Sequence, residues 1–193
     1  MKTTKTILTI LLVMAFIMSS KLTKAQFPTD TATGKVKYTA VINFPGKTKD
    51  SLYDKAKLWV TSTFKSSDNL ITFDDVKKDK IVATGSVLVD SLQLPCSGKP
   101  YAMNTYINFK FVISFKDGKI RYSLENILLT YINCIFYNVV VTGLEDIKPG
   151  ANSWTKKMIA EFQSNVYKSV NKTIIKLISD FTKSMNQKED NGW

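Results

Sequence analysis

Apolar and polar residues follow one another in patterns that predict most of the strands and helices of this chain. Within 34–44, every second residue from Val36 to Phe44 is apolar or aromatic, which is typical of a strand with one buried face. Within 50–66 the apolar residues share one face of a predicted helix: Leu52, Ala56, Trp59, Val60 and Phe64. Alternation returns in 69–74 and 80–90, so we predict two strands joined by the polar turn 75–79.

The clearest hairpin lies in the middle of the chain. Apolar residues alternate over 105–115 and again over 120–124, on either side of Asp117-Gly118. An Asp-Gly pair between two alternating runs favours a tight turn, because both central residues then need positive φ. The segment before this hairpin, 91–104, is rich in turn-forming residues, and we predict a loop there.

The segment 127–141 departs from the alternation, because its apolar residues occupy both strand parities. Two interpretations follow. One is a last strand buried on both faces, and the other is an exposed apolar patch that binds a partner. We favour the strand, since exposed apolar patches of this size are uncommon on monomers.

A long amphipathic helix is predicted at the C-terminus. Pro149-Gly150 interrupts the chain, and Asn152 or Ser153 is placed to cap the helix that follows. One amphipathic helix, or two in series, then runs to about Ser184. Its apolar residues recur every three or four positions, so one side of the helix should cover the sheet. The sequence thus predicts an α+β fold, a twisted and mainly antiparallel sheet with one helix after the first strand and a long C-terminal helix on one face.

The first 25 residues are predicted to be a secretory signal peptide. Lys2 and Lys5 precede an apolar run of 12 residues, which is short of the roughly 20 that a bilayer core needs. Small residues precede the site, so we predict cleavage between Ala25 and Gln26 and export to the periplasm or beyond the cell. We expect no transmembrane span in the mature chain, because no later stretch is long and apolar enough.

The mature chain divides into four predicted parts. We expect a flexible arm at 26–35 and an α+β domain at 36–148. The C-terminal helical segment, 149–186, packs on this domain or extends from it, and 187–193 is expected to be a disordered tail.

Composition narrows the chemistry without defining it. The chain has 193 residues and no histidine, which excludes Ser-His-Asp and Cys-His catalysis and histidine-ligated zinc. Its 27 basic residues outnumber its 16 acidic ones, and loss of four lysines with the signal leaves a net charge of +7. A basic exported domain can bind acidic surfaces, although scattered lysines mainly keep a protein soluble.

Candidate catalytic and metal-binding groups are few. The acids near the end of the predicted hairpin and in the following loop are Glu125, Glu145 and Asp146. Their positions in the sequence do not establish a pair of facing carboxylates. A second acidic group, Asp74, Asp75 and Asp79, lacks the ligand spacing of a calcium loop and has lysines beside it, so we interpret it as a solvated turn. We predict no catalytic residue, no metal site and no cofactor.

The two cysteines, Cys96 and Cys134, would enter an oxidising compartment after export. A disulfide between them would stabilise the fold by about 2–4 kcal/mol. The alternative is two unpaired cysteines that pack as small hydrophobic residues. The sequence leaves both open, because the distance between their Cα atoms decides.

Several short elements occur in an order that resembles a known family. They are Lys49, Leu52 and Tyr53 at a helix start, Trp59 on that helix, Ile81 with Gly85 on a strand, and the hairpin DGKIRY at 117–122. Over residues 36–127 the chain resembles the exported bacterial family called domain of unknown function 4468, described as having a TBP-like fold. The resemblance implies a helix-on-sheet β-α-β fold, and it implies no activity.

From these observations we expect an exported, non-catalytic binding or assembly module of the bacterial cell envelope, with an envelope protein as its partner. Nucleic acid is not expected as a partner, because an exported chain does not meet the genome and a fold does not define a function. Two alternatives are a carboxylate-dependent envelope hydrolase and a protein that binds anionic polymers. A lysine cluster on one sheet face would favour the latter. The sequence leaves the oligomeric state open.

Overall fold

The computed structural model describes residues 27–64, 71–75, 79–90, 92–96, 99–102, 104–132, 139–147 and 155–187. The predicted signal peptide with its Ala25–Gln26 cleavage site, Cys134 and residues 188–193 lie outside these ranges. The described elements, in chain order, are β1 (Tyr38–Asn43), α1 (Lys49–Thr63), β2 (Ile71–Asp75), β3 (Lys80–Leu88), β4 (Gln93–Cys96), β5 (Lys99–Ala102), β6 (Tyr106–Lys116), β7 (Lys119–Ile132), β8 (Val139–Gly143), a 3₁₀ turn (Leu144–Asp146) and α2 (Lys156–Asn186).

Six of the described strands form one antiparallel sheet in the order β1-β7-β6-β3-β2, with β8 beside the second half of β7. The predicted α+β class and the predicted hairpin, now β6 and β7, are confirmed. The predicted loop at 91–104 is wrong, because β4 and β5 pair there as a separate two-stranded hairpin. Turn-forming residues favour a loop, but here Pro95 and Pro100 lie opposite each other in paired strands.

A β-bulge in β7 explains why the alternation fails near residue 127. Asn108 of β6 lies opposite Leu128, whereas Lys110 lies opposite Glu125, so β7 contains one extra residue at this point. Asn126 has a φ of 53°, a left-handed conformation that asparagine tolerates better than most residues. The extra residue reverses the parity of the strand, so that even-numbered residues up to Leu124 face the core before the bulge and the odd-numbered Ile127 and Leu129 face it afterwards.

Both helices pack on the same face of the sheet and enclose the core. Helix α1 begins where the Thr48 side chain accepts a hydrogen bond from the backbone N–H of Ser51. Its buried side chains are Leu52, Tyr53, Ala56, Trp59 and Val60. Alternate residues of β6, from Ile107 to Phe115, are buried beneath the helices, which confirms the alternating strand predicted over 105–115.

The long C-terminal helix, α2, is capped by Thr155, whose side chain accepts from the N–H of Met158. The predicted caps, Asn152 and Ser153, are therefore wrong, because the first helical turn begins after Thr155. The buried stripe of α2 includes Phe162, Val166, Val170, Ile174, Leu177, Phe181 and Met185. At its C-terminal end, the Nζ atoms of Lys47 and Lys55 donate to the carbonyl oxygens of Met185 and Gln187, where a cation is favourable.

The segment before β1, in which we predicted a flexible arm, contacts the domain. Its Thr29 forms a β-bridge with Val36, and Asp30 accepts hydrogen bonds from the N–H groups of Ala32 and Thr33. These bonds and the nearby Lys37 ammonium lower the pKa of Asp30. The ring of Phe27 packs 5.0 Å from that of Tyr167 on α2, between ring centroids. The described residues of this segment are thus held by a turn and a ring contact.

Two tyrosines on the core side of the domain offer a matched test of hydrogen bonding. The Tyr38 hydroxyl donates to Oδ1 of Asn171 at 3.0 Å, whereas the buried Tyr53 hydroxyl has no hydrogen-bond partner among the described residues. We expect Tyr38→Phe to cost about 1 kcal/mol and Tyr53→Phe to be neutral or stabilising, measured by urea unfolding. Equal losses for both variants would contradict this expectation.

Burial also raises the pKa of Tyr38. A tyrosine whose pKa is higher in the folded state stabilises the fold below its unfolded pKa of about 10, and this contribution is lost as the pH rises through the folded value. The difference in stability between the wild type and Tyr38→Phe should therefore shrink above pH 10. The same unfolding titration at several alkaline pH values measures it.

Candidate functional site

The sheet has one face that neither helix covers, which we call the open face. On β6 it carries the residues that alternate with the buried ones, from Tyr106 through Lys110 to Lys116. On β7 it carries Lys119, Arg121, Ser123 and Glu125, and beyond the bulge it carries Leu128, Thr130 and Ile132. The open face is therefore the side of the six-stranded sheet on which side chains point away from the core.

One end of the open face is apolar. Six large side chains there are 40–65% exposed, and we call them the apolar end: Leu88, Tyr106, Leu128, Ile132, Val139 and Val141. The strand register brings them together, because Leu88 lies opposite Tyr106 and Ile132 lies opposite Val139. A contiguous exposed apolar patch of this kind marks an interaction surface more often than a scattered apolar residue does.

The other end of the open face is cationic. Four basic residues lie there, beside Lys37, which directly precedes β1: Lys110, Lys116, Lys119 and Arg121. Glu125 compensates part of this charge, since its two carboxylate oxygens lie 3.6 Å from Lys37 Nζ and 3.6 Å from Lys110 Nζ. Among the described residues, no acid lies within ion-pair distance of Arg121. The open face therefore has a net positive charge at this end.

A shallow depression of 160 Å³ lies within the cationic end. Its lining is Lys37, Thr39, Val112, Ser114, Arg121, Tyr122 and Ser123. Arg121 stands on the middle strand of three, opposite Ser114 on β6 and Val41 on β1. In the next row, Ser123 lies between Val112 and Thr39. The depression therefore combines a guanidinium group with hydroxyl groups from neighbouring strands.

A second concavity, of 390 Å³, lies on the other side of the domain between the N-terminal segment, the 3₁₀ turn and α2. Phe27, Val36, Leu144, Ile147 and Val166 give it a mostly apolar wall. Glu145 is the one acid among the described residues that line it. A single carboxylate does not make the facing pair that glycoside hydrolysis needs.

The structure separates the acids that the sequence analysis considered together. Glu125 lies on the open face between two lysines, whereas Glu145 and Asp146 lie in the 3₁₀ turn at the edge of the 390 Å³ cleft. Asp79 forms an ion pair with Lys49, because its Oδ1 lies 2.7 Å from Lys49 Nζ. Their hydrogen bond raises the pKa of Lys49. No group of three potential metal-ligating residues occurs in the described ranges.

The structure does not test the possible disulfide. The backbone of Cys96 ends β4, but Cys134 lies outside the described residues. Both alternatives, a Cys96–Cys134 disulfide and two unpaired cysteines, therefore stay open. In the described parts of the chain, no helix is long and apolar enough to cross a membrane.

Sequence reasoning missed the apolar end and the Arg121 depression as sites. The sequence analysis favoured a strand buried on both faces for 127–141, and this is wrong for the described residues, because four large apolar side chains there are exposed: Leu128, Ile132, Val139 and Val141. The exposed patch was the other interpretation, and its further members Leu88 and Tyr106 come from distant parts of the chain. A signal for the depression was present, since Arg121 is the chain's only arginine beside 26 lysines. Arginine and lysine are not interchangeable at sites that bind oxyanions, so this single position was informative.

Comparisons with known proteins agree with this fold. Residues 38–130 match the family described as a domain of unknown function (DUF4468) with TBP-like fold. A TBP-like protein from Parabacteroides distasonis has a similar crystal structure, with a TM-score of 0.62 and 16% sequence identity over 84% of this chain and 98% of that one. A DUF4468 family protein from Bacteroides ovatus also has a TM-score of 0.62, with 18% identity over 88% of this chain and 95% of that one.

These likenesses confirm the resemblance and the TBP-like fold that the sequence predicted. At such low sequence identities, these similarities support a shared fold and do not assign an activity to this chain. No curated protein matches the chain.

Proposed function

We propose that this protein is an exported, non-catalytic binding module of the bacterial cell envelope. Residues 38–130 match the DUF4468 family, whose description names a fold and no activity. The module takes its partner on the open face. The observation that supports this proposal is the apolar end, where six exposed apolar side chains from four strands adjoin a cationic surface. A face that carries both features is suited to a partner with apolar and acidic groups.

Contact of the apolar end with water is unfavourable in free energy, and a partner that covers it removes this contact. Burial of apolar surface contributes about 25 cal/mol per Å², so six large side chains supply a substantial part of a binding free energy. Tyr106 is the side chain best suited to anchor a partner, because an exposed aromatic ring offers both apolar area and a hydroxyl group. The cationic end adds attraction for acidic groups and raises the rate of association at low salt.

A binding role also agrees with the distribution of the acidic side chains. Glu125 forms ion pairs with Lys37 and Lys110, and Glu145 lines a separate cleft. Catalysis by paired carboxylates needs two acids in one cleft about 5–10 Å apart. No observation on the described residues favours the hydrolase alternative, and the cationic end favours an acidic partner.

Site-specific crosslinking tests the proposal. The full chain, with residues 1–25, is produced in its native host with a photoreactive residue in place of Tyr106 or Val141. We expect both positions to crosslink to the same envelope component, because both belong to the apolar end. Mass spectrometry identifies that component. Fractionation shows whether the chain reaches the envelope, and the mass of the recovered chain shows whether Gln26 is its first residue.

Leu58 and Ile175 are matched controls for this experiment. Both are exposed apolar residues, 70% and 55% accessible, and both lie on the helices rather than on the open face. Crosslinks from these two positions equal to those from Tyr106 and Val141 would show non-specific contact and overturn the proposal. The absence of any crosslink from the open face, in a chain that reaches the envelope, would do the same.

A further inference from the structure

We infer that the Arg121 depression binds a phosphate group of the partner, with Arg121, Ser114 and Ser123 as its donors. This inference rests on the proposed function, because the depression lies on the open face. The depression holds 160 Å³, below the roughly 300 Å³ at which pockets for drug-sized ligands begin. It therefore suits one small group of a larger ligand.

The strand register assembles the donors. Ser114 lies opposite Arg121 on β6, and Ser123 lies two residues further along the same strand as Arg121, on the same face. Thr39, from β1, lies opposite Ser123. Its hydroxyl donates to the carbonyl oxygen of Tyr122 at 2.9 Å, so, apart from Lys37 at the rim, the remaining side-chain donors toward a ligand are the guanidinium and the two serine hydroxyls.

The charge of Arg121 is available to a ligand. Lys37, at the rim of the depression, has its ammonium 3.3 Å from Asp30 Oδ2 and 3.6 Å from Glu125 Oε2. These carboxylates compensate Lys37, whereas no described acid lies within ion-pair distance of Arg121. The guanidinium charge of Arg121 is therefore not paired with a described acid and can attract an anion.

The donor set favours phosphate over carboxylate. A guanidinium presents five N–H donors in a planar fork, and two serine hydroxyls add two more. A carboxylate has two oxygens and is satisfied by the fork alone, whereas the further oxygens of a phosphate group can also accept from the hydroxyls. The chain uses lysine at 26 of its 27 basic positions, and its one arginine stands at this depression, where the fork matters.

Titration of the folded protein with inorganic phosphate tests the inference. At constant ionic strength, phosphate should shift the backbone amide NMR signals of Ser114, Arg121 and Ser123, and acetate should shift them less. Arg121→Gln should weaken phosphate binding about tenfold or more, because charge-assisted hydrogen bonds are lost. Arg121→Lys should also weaken it, since lysine keeps the charge and loses the fork.

Lys176→Gln is the control for net charge. Lys176 is an exposed cation on α2, and its replacement changes the charge by the same amount as Arg121→Gln. If both variants weaken phosphate binding equally, or if phosphate shifts none of the three amide signals, the inference is wrong. Retained unfolding midpoints for the variants show that any loss is local to the depression.

Two further arms identify the source of the phosphate group. Sedimentation with vesicles that contain phosphatidylglycerol tests whether the phosphate belongs to a lipid headgroup, and vesicles of phosphatidylcholine are the reference with no net charge. Binding to a soluble phosphodiester polymer tests whether the phosphate belongs to a polymer. If Arg121→Gln loses binding in either experiment, this supports phosphate binding at the Arg121 depression and identifies the source of the phosphate group. The crosslinks from Tyr106 and Val141 do not depend on Arg121, so they can persist when phosphate binding fails, and the proposed function then stands without this inference.

Discussion

Replacement of Phe181 by alanine is expected to lower the free energy of unfolding by about 3–5 kcal/mol. The Phe181 side chain is fully buried, and its ring centroid lies 5.0 Å from that of Trp59 and 5.3 Å from that of Phe111. Trp59 belongs to α1, Phe111 to β6 and Phe181 to α2, so this ring contact joins both helices to the sheet. Truncation removes the apolar transfer energy and leaves a cavity among side chains that collapse only in part.

Urea unfolding followed by circular dichroism measures this loss, with Ile175→Ala as the control. Ile175 lies on the same helix but is 55% exposed, so its truncation should change stability by about 0.5 kcal/mol or less. If Phe181→Ala leaves too little folded protein, Phe181→Leu gives a smaller loss that can still be measured. A loss below about 1 kcal/mol for Phe181→Ala would contradict the assignment of this ring to the core.

Gly85→Ala is expected to destabilise the domain by about 1–3 kcal/mol through overpacking. A Cβ at Gly85 would lie 2.8 Å from the ring of Phe109 and 3.0 Å from the ring of Phe64. Both rings are buried and pack against each other, with centroids 5.7 Å apart, so neither can move without a cost. Gly85 thus lets the two rings lie directly on the backbone of β3.

Gly143→Ala is the matched control, because the added Cβ would meet only the flexible side chain of Glu145, at 3.0 Å. This variant should be neutral or slightly stabilising, since alanine lowers the entropy of the unfolded chain. Phe109→Leu should recover part of the loss caused by Gly85→Ala, and a double-mutant cycle measures that coupling. Equal stability of Gly85→Ala and the wild type would show that the rings do not pack as described.

Local patterns were sufficient to predict the regular parts of the fold. The alternation around Asp117-Gly118 predicted the β6–β7 hairpin, and the apolar face of 50–66 predicted α1. These predictions succeeded because each depends on residues close together in sequence, where strand and helix periods differ clearly. The start of α2 was predicted two or three residues early, since polar residues near Thr155 offered several competing caps.

The sequence by itself thus determined the α+β class, the main hairpin, both helices and the family resemblance. The tertiary structure alone decided where the candidate site lies. The bulge at Asn126 changed which residues of β7 face the core, and pairing of distant strands placed Leu88 beside Tyr106. The same pairing placed Ser114 beside Arg121. Register between strands is set by contacts across the whole sheet, so a pattern read along one strand does not contain it.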